Sequence, residues 1–511
     1  MSAHTDPAVL ALVRGVLWPG FFGYVAPDWL KRELDGGLAG VVLFAQNIDE
    51  SDDRQLPALT GVLSSLGQNT LIGIDEEGGT VTRLESARGS TLPGHAQLGA
   101  VDDESLTRAT GTELARRVGA AGVNVALAPD ADVNTEPRNP VIGVRSFGSD
   151  PQLVARHVAA MVDGIQTAGV VACAKHYPGH GDTSADSHID LPRSNSDWDR
   201  MLREHLPPFD AAIAVGVKAI MTAHILVPGA GSLPATLNPT LLGSLRERGF
   251  TGTIVTDALD MAAIRGTVGS GPGAVQALLA GSHLLCIGNP ANPGNTAAVS
   301  SAGSDADAYV EVRRAICDAI DDGTLPLAVL ERAAANVSDL GRWSAARADD
   351  RRAAAASPGF DADAIVSAAL RTSTDLPQLT GAVQVLDLRH RATIAVATET
   401  DVFTAALAVG GAAESIRLPP SGDGAFAETA GTAASSAPGG LVVLVDRIGV
   451  TGAQTAAIDA IRGIRPDAVI VNVGMRAPDA PTRLSPIIET LGDSLTSATV
   501  VARLLGAGGV A

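Results

Sequence analysis

The sequence predicts an α/β protein in which a (β/α)8 barrel of the TIM type precedes a smaller, open α/β sheet domain. The first two thirds of its 511 residues alternate short apolar, β-branched segments with longer segments of helical periodicity, which is the pattern of repeated βα units. Eight strand-like segments occur there, the number that closes such a barrel. A second, shorter series of strands and helices follows a charged, Ala-rich stretch.

Five of the eight predicted barrel strands end at a polar residue or motif. The eight segments are 16–24, 40–44, 71–74, 123–128, 170–174, 219–222, 253–256 and 283–287. The polar residues at their ends are Asp75, Asp130, Lys175 with His176, His224 and Asp257. Because barrel enzymes gather their chemistry at the carboxyl ends of the strands, we expect a functional site at this face.

A domain boundary is predicted where the sequence reads RADDRRAAAASPGFDADA, residues 347–364. This stretch has few bulky apolar residues and mixed charge, as an exposed linker or connecting helix would. We predict a catalytic barrel domain over 1–345, a linker over 346–375 and a C-terminal α/β sandwich domain over 376–511. In that domain we predict strands at 393–397, 441–445 and 468–473 and a loop at 431–440. No GxGxxG or GxxxxGK[ST] motif opens a helix there, so its role is not predicted.

Composition narrows the classes of partner. Hydrophobic residues make up 46% and charged residues 18% of the chain, and the net charge is -19. Such a charge repels nucleic-acid backbones and anionic lipid surfaces, so we expect neither as a partner. The chain start lacks a signal-peptide pattern and no apolar run reaches the ~18 residues of a membrane span, which predicts a cytoplasmic protein.

The three cysteines, Cys173, Cys286 and Cys317, lie far apart without the spacing of a zinc site or a disulfide framework. We therefore expect no metal and no cofactor.

The first motif, IDEEGGTVTRL, places an acidic triplet after a strand, followed by two glycines and an arginine. Carboxylates such as Asp75 accept hydrogen bonds from sugar hydroxyls, and the Arg83 guanidinium anchors carboxylates in a fixed fork. The motif can therefore hold a pyranose ring. An acidic loop with a glycine turn is equally compatible with a purely structural role.

The second motif, KHYPGHGDTSADSH, packs three histidines, two aspartates and a lysine into residues 175–188. Asp186 and His188 are two residues apart, so in an extended loop the carboxylate can orient the imidazole and favour its protonated form. His180 and Asp182 can equally be loop scaffolding. The alternative is a metal site, although the loop lacks an HExxH-type helical spacing.

The third motif, IVTDALDM, delivers Asp257 to the carboxyl end of a strand, where a carboxylate can attack an anomeric carbon. Its structural alternative is a cap of the following helix. Arg145 in GVRSFG and His224 in MTAHILVP also lie after strands or in the loops that follow them. Convergence of polar groups from five loops favours the functional interpretation.

These motifs, together with NPVIGVRSFG, resemble the bacterial β-N-acetylglucosaminidases of glycoside hydrolase family three, in matching order over about residues 15–340. The ending Asp-Ser-His of the second motif is the mark of this branch. The resemblance implies Asp257 as nucleophile and His188, assisted by Asp186, as general acid/base. It further implies sugar binding by Asp75, Arg83, Arg145, Lys175 and His176.

The implied activity is that of a retaining, exo-acting β-N-acetylglucosaminidase, or β-N-acetylhexosaminidase, that acts on a small amino-sugar glycoside in cell-wall or amino-sugar recycling. A retaining enzyme forms a glycosyl-aspartate and then resolves it with the help of one proton-transferring group. Because a neutral imidazole does not repel an anion, phosphate is an alternative acceptor, which would make the protein a phosphorylase that releases N-acetylglucosamine 1-phosphate. A non-catalytic sugar-binding protein is the third hypothesis, and it would need no nucleophile.

Overall fold

The computed structural model divides the chain into two compact units. It describes residues 2–184, 191–289, 304–355, 360–389, 401–408, 412–418, 423–450, 452–477, 480 and 484–507. The first unit, here called the barrel unit, consists of Met1–Glu77, Glu104–Val133 and Ser149–Phe360. The second, here called the C-terminal unit, consists of Gly78–Asp103, Asn134–Gly148 and Asp361–Ala511. Its two early segments were not predicted from the sequence, and the boundaries at 346 and 376 stay predictions.

The barrel unit contains eight strands, as predicted. They are β1 Leu17–Pro19, β2 Gly40–Leu43, β3 Leu71–Ile74, β4 Val125–Ala126, β5 Val171–Tyr177, β6 Ala219–Thr222, β7 Thr253–Val255 and β8 Leu285–Gly288. Strands β2 to β7 pair in parallel in chain order, and β1 pairs in parallel with β8. The Thr256 amide donates to the Leu284 carbonyl at 3.0 Å, which joins β7 to the strand that follows it. The predicted barrel is thereby confirmed.

The core of this unit lies inside the barrel. One apolar cluster takes side chains from all eight strands, among them Trp18, Val125, Val171 and Met221. Every residue of the eight strands is buried, because parallel strands are covered on both faces and read as continuous apolar runs.

Six of the eight strands differ from their predicted bounds, and two of the differences, in the first and fifth strands, have a clear physical reason. The first ends at Pro19 instead of residue 24, since a proline has no N–H to continue the ladder. The fifth continues to Tyr177 instead of ending at residue 174, and its register with β6 shifts between Ala174 and Tyr177. Lys175 and His176 therefore lie within an irregular strand end and not after it. A bulge of this kind redirects side chains.

Helices cover the strands of both units. They are α1 Pro7–Arg14, α2 Asp28–Asp35, α3 Gln55–Leu66, α4 His95–Val101, α5 Glu104–Ala120, α6 Pro151–Thr167, α7 Trp198–Glu204, α8 Pro207–Ala214, α9 Pro239–Glu247, α10 Ala262–Arg265, α11 Ser270–Ala280, α12 Ser304–Asp321, α13 Leu327–Ala346, α14 Ala348–Ala355, α15 Ala362–Ala369, α16 Val402–Leu407, α17 Asp423–Ser436, α18 Gly452–Ile464 and α19 Leu495–Leu504. Helices α1, α6 and α9 begin with proline behind the capping side chains of Asp6, Asp150 and Asn238. Such caps satisfy amides that have no partner within the helix.

The C-terminal unit is a sheet of six strands between two layers of helices. The strands are β9 Arg371–Thr372, β10 Val383–Asp387, β11 Ala413–Arg417, β12 Gly440–Val445, β13 Val469–Asn472 and β14 Ile487–Glu489. Their order is β11-β10-β12-β13-β14-β9, and all pairs are parallel except the last. Val443 packs in a cluster with α17 and α18, whereas its neighbour Val442 packs in another with α16 and α19. This alternation buries both faces and confirms the predicted open α/β sheet.

The predicted elements of this unit have mixed outcomes. Segments 441–445 and 468–473 correspond to β12 and β13. The predicted strand at 393–397 lies outside the described residues. The predicted loop at 431–440 is wrong over 431–436, which forms the end of α17, because its alanines favour continuation of the helix. Among the described residues, no helix is both long and apolar enough to cross a membrane.

Candidate active site

Charged side chains of the barrel unit converge at the carboxyl ends of its strands. Asp75 follows β3 directly, Asp257 comes two residues after β7, and Lys175 lies near the end of β5. Burial raises the pKa of the Cys173 thiol to about 12, and Lys175, Asp75 and Asp257 all act electrostatically on this one thiol. These three groups therefore lie within electrostatic reach of the same point in the barrel.

Lys175 is the centre of a buried ion cluster. Its ammonium donates to Asp75 Oδ1 at 2.6 Å and lies 2.7 Å from Glu77 Oε1. The side chains of Lys175 and Glu77 are each 2% exposed, whereas that of Asp75 is 21% exposed. The ammonium therefore holds the more accessible carboxylate in a fixed position, where its second oxygen can accept a hydrogen bond from a hydroxyl group.

Two histidines of the second motif share one buried carboxylate. Asp132 Oδ2 accepts from His176 Nδ1 at 2.8 Å, and its Oδ1 accepts from the His180 amide at 2.6 Å. Burial alone would raise the pKa of Asp132, but the two imidazoles and their hydrogen bonds lower it below its ordinary value. Because Asp132 is ionised, the shared proton stays on Nδ1 of His176, and Nε2 is the ring atom that faces other partners.

His180 is neutral at neutral pH. Burial lowers its pKa to about 4, although the nearby carboxylate of Asp132 opposes this shift. Its Nδ1 lies 2.9 Å from the hydroxyl of Thr183, which anchors the ring within the loop. His180 is therefore a scaffold for the segment that follows β5.

Asp130, Asp132 and His176 could together ligate a metal ion. One donor atom from each lies within 4.8 Å of the others, and all three residues are buried. However, Asp130 Oδ1 accepts from the Asp132 amide at 2.9 Å, and Asp132 accepts from both histidines as described. These hydrogen bonds explain the cluster without an ion, since a metal would have to displace the proton on His176 Nδ1.

The loop after β7 is held by His224. The Ala258 amide donates to Asp257 Oδ1 at 2.7 Å, and the Ala258 carbonyl lies 2.9 Å from Nε2 of the fully buried His224. A carbonyl only accepts, so the Nε2 of His224 carries a proton, and its Nδ1 lies 2.8 Å from Thr236 Oγ1. This chain of hydrogen bonds orients the peptide next to Asp257.

The predicted acid/base pair, Asp186 and His188, lies outside the described residues. The segment that leads to it is anchored: Ser196 Oγ donates to Asp182 Oδ2 at 2.5 Å, and the Asn195 amide donates to the Asp182 carbonyl at 3.0 Å. Asp182 is therefore structural, as one of its two sequence interpretations proposed.

Arg83 and Arg145 lie in the C-terminal unit and are both buried. The loop before Arg83 needs glycine at 78 and 79, since both have positive φ and added Cβ atoms would lie 2.7 Å from the Pro93 carbonyl oxygen and 2.5 Å from Gly94 Cα. The Arg145 carbonyl accepts from His95 Nδ1 at 2.6 Å. Backbone contacts thus fix both arginine-bearing loops.

Sequence reasoning missed two residues that the structure places among the candidate site residues. Glu77 contacts Lys175, and Asp132 contacts His176. Glu77 belongs to the quoted acidic triplet, whereas Asp132 follows the strand-end residue Asp130 by two positions and lies in none of the quoted motifs.

Comparisons with known proteins agree with this geometry. Residues 25–339 match the model of the glycosyl hydrolase family 3 N terminal domain. The chain is 36% identical over 251 residues to beta-hexosaminidase A of Pseudoalteromonas piscicida, which covers 44% of this chain and 42% of that protein. It is 35% identical over 261 residues to the beta-hexosaminidase of Nitrosomonas eutropha, covering 49% of this chain and 74% of that one.

Similarity to a solved structure extends over nearly the whole chain. The family 3 beta-N-acetylglucosaminidase from Paenibacillus sp. str. FPU-7 superposes with a TM-score of 0.78 at 27% identity, and the match covers 97% of this chain and 96% of that one. The matched length includes both units.

Proposed function

Because the chain belongs to glycosyl hydrolase family 3, we propose that it is a retaining, exo-acting β-N-acetylglucosaminidase that cleaves terminal N-acetylglucosamine. The observation that carries the proposal is the strand-end carboxylate of Asp257, held by the Ala258 amide and, through the Ala258 carbonyl, by His224. The β-hexosaminidase relatives and the Paenibacillus enzyme support the same substrate class.

In this proposal Asp257 attacks the anomeric carbon while the bond from that carbon to the aglycone oxygen breaks. His188, oriented by Asp186, gives its proton to the departing oxygen. Water then attacks the glycosyl-aspartate, returns a proton to His188 and releases both the sugar and the Asp257 carboxylate. The two steps retain the anomeric configuration, as double displacement requires.

The sugar is held on the same face of the barrel. Asp75, fixed by Lys175, accepts hydrogen bonds from ring hydroxyls, and His176 presents Nε2 to the same ligand because Asp132 holds its Nδ1. Arg83 and Arg145 are assigned to sugar binding on the family resemblance alone.

Water is the acceptor in this proposal, since none of the described residues of the barrel unit favours phosphate over it. A non-catalytic sugar-binding role would leave the positioned Asp257 without a purpose. The cytoplasmic location and the role in cell-wall or amino-sugar recycling stay predictions from the sequence.

A fluorinated, activated β-N-acetylglucosaminide tests the assignment of the nucleophile. The glycosyl-enzyme should accumulate, and peptide mass spectrometry should find the label on Asp257. The Asp257→Asn variant should fold normally and remain unlabelled. A label on Asp75 or Asp260 would contradict the assignment.

A further inference from the structure

The C-terminal unit carries a cavity at the carboxyl edge of its sheet. The strand order is β11-β10-β12-β13-β14. The next strand along the chain after β10, which is β11, lies on one side of β10, and the strand after that, β12, lies on the opposite side of β10. The helix that precedes β11, α16, packs on one face, whereas α18, which follows β12, packs on the opposite face. Open α/β sheets bind ligands in the crevice at such a reversal of strand order.

The cavity lies at this reversal point. Its volume is about 130 Å³, enough for roughly ten water molecules on the same measure. Residues just beyond four neighbouring strands form one wall, and residues 137–145 with Thr80 form the other. The first wall contains Arg389, Asp446, Arg447, Gly474, Met475 and Asp493.

Position 474 must be glycine for this wall to form. A Cβ atom there would lie 1.9 Å from the carbonyl oxygen of Asp446, which belongs to the neighbouring strand end. The two backbones therefore approach each other closely beside the cavity.

The cavity is positively charged in a chain whose net charge is -19. Among the described residues, four arginines and two aspartates line it. Arg389 is balanced by Asp387 and Asp493, with N–O distances of 2.8 and 2.7 Å. Gln454 Nε2 donates to Asp446 Oδ1 at 2.7 Å, so this carboxylate already has a donor.

Arg138 and Arg145 engage other groups, so Arg447 is the remaining arginine of the lining. Its amide donates to Gln454 Oε1 at 2.9 Å, which fixes the backbone, and its side chain is half-buried. Within the part of the chain that the structure describes, its guanidinium forms no ion pair with a carboxylate. A half-buried arginine in a concave site is a ready partner for a carboxylate or phosphate.

The remaining walls are apolar. Val141, Ile142, Val450, Val473 and Met475 contribute hydrocarbon and thioether surface beside the arginines. Ligand sites commonly combine apolar walls with a few polar groups that fix the orientation of the ligand. A bare inorganic ion would leave these walls unused.

We propose that this cavity binds a small organic molecule in which a carboxylate or phosphate group is attached to an apolar body. The guanidinium of Arg447 receives the anionic group, and the valine, isoleucine and methionine side chains contact the body. The site gives the C-terminal unit a ligand-binding role, in a cavity whose other wall includes Arg145.

Isothermal titration calorimetry on the full chain tests the proposal with three probes. Benzoate joins a carboxylate to an apolar ring, benzyl alcohol lacks the charge, and inorganic phosphate lacks the ring. Benzoate should bind more tightly than either of the others. Phosphate that binds as tightly as benzoate would contradict the role of the apolar walls.

Substitution of Arg447 links binding to the cavity. Arg447→Gln should weaken benzoate binding by about tenfold or more, since it removes a charge-assisted hydrogen bond, and Arg447→Lys should weaken it less. Arg371→Gln is the matched control, because Arg371 is exposed on β9 and does not line the cavity. Absence of benzoate binding to the wild-type chain, or equal binding by the Arg447→Gln and Arg371→Gln variants, would overturn the proposal.

Discussion

Replacement of Lys175 by methionine should destabilise the barrel unit by about 3 kcal/mol, because breaking a buried ion pair leaves an uncompensated charge at a cost of roughly 3–5 kcal/mol. Lys175 lies 2.6 Å from Asp75 and 2.7 Å from Glu77. Glu77 is 2% exposed and cannot be rehydrated without local opening, whereas Asp75 is 21% exposed and retains water. The cost therefore arises mainly at Glu77, so we expect a loss of unfolding free energy at the lower end of the roughly 3–5 kcal/mol range.

Tryptophan fluorescence can measure this change in one unit alone. The four tryptophans, Trp18, Trp29, Trp198 and Trp343, all belong to the barrel unit. Urea titrations followed by their emission therefore report unfolding as it occurs in the barrel unit.

Two further variants complete the test of Lys175. Lys31→Met removes a lysine whose partner, Asp28, has an 85% exposed side chain, and a surface pair of this kind contributes only about 0–1 kcal/mol. Adding Glu77→Gln to Lys175→Met should recover part of the lost stability, because it removes one of the two carboxylates that Lys175 neutralises. The reasoning fails if Lys175→Met costs no more than Lys31→Met, or if the double variant is less stable than Lys175→Met.

Four other outcomes are expected. His188→Ala should slow glycosides with poor leaving groups far more than activated aryl glycosides, and equal loss in both would assign His188 to binding instead of proton transfer. His224→Ala should lower kcat by about tenfold to a hundredfold with little change in KM, because it releases the peptide beside Asp257; an unchanged kcat would contradict this positioning role. At millimolar phosphate the product should be free N-acetylglucosamine, and the appearance of mostly N-acetylglucosamine 1-phosphate would favour the phosphorylase. Burial lowers the pKa of His180 to about 4 and that of His283 to about 3. Their contribution to the free energy of unfolding is therefore complete above the unfolded pKa of about 6.5 and should be lost as the pH falls below that value. Urea midpoints that stay constant between neutral and acidic pH would contradict this expectation.

The sequence was sufficient to predict the barrel because its strands are buried on both faces. Continuous apolar segments such as Leu71–Ile74 and Ala219–Thr222 therefore have the same bounds in prediction and structure. Polar residues directly after such segments, including Asp75 and Asp257, can only lie at the carboxyl face. The same logic could not predict that β5 extends to Tyr177, since an irregular strand end depends on its pairing with β6.

Other features depend on contacts between distant segments. Asp132 is predicted by no motif, yet it binds two histidines more than forty positions away in sequence, at separations of 44 and 48 residues. The inclusion of Gly78–Asp103 and Asn134–Gly148 in the C-terminal unit is equally invisible in a linear pattern, because both segments look like ordinary loops between barrel strands. The cavity lined by Arg447 requires four strand ends to be adjacent, which only the topology of the sheet reveals.

The structure of the second motif also narrows which of its histidines can transfer a proton. His180 has a pKa of about 4 because it is buried, so at neutral pH it carries no proton to donate as an acid and is too weak a base to accept one efficiently. His176 donates a hydrogen bond from Nδ1 to the ionised Asp132, and loss of that proton would place a bare nitrogen against a carboxylate. The acid/base role of His188 stays a prediction from the family resemblance, because His188 lies outside the described residues.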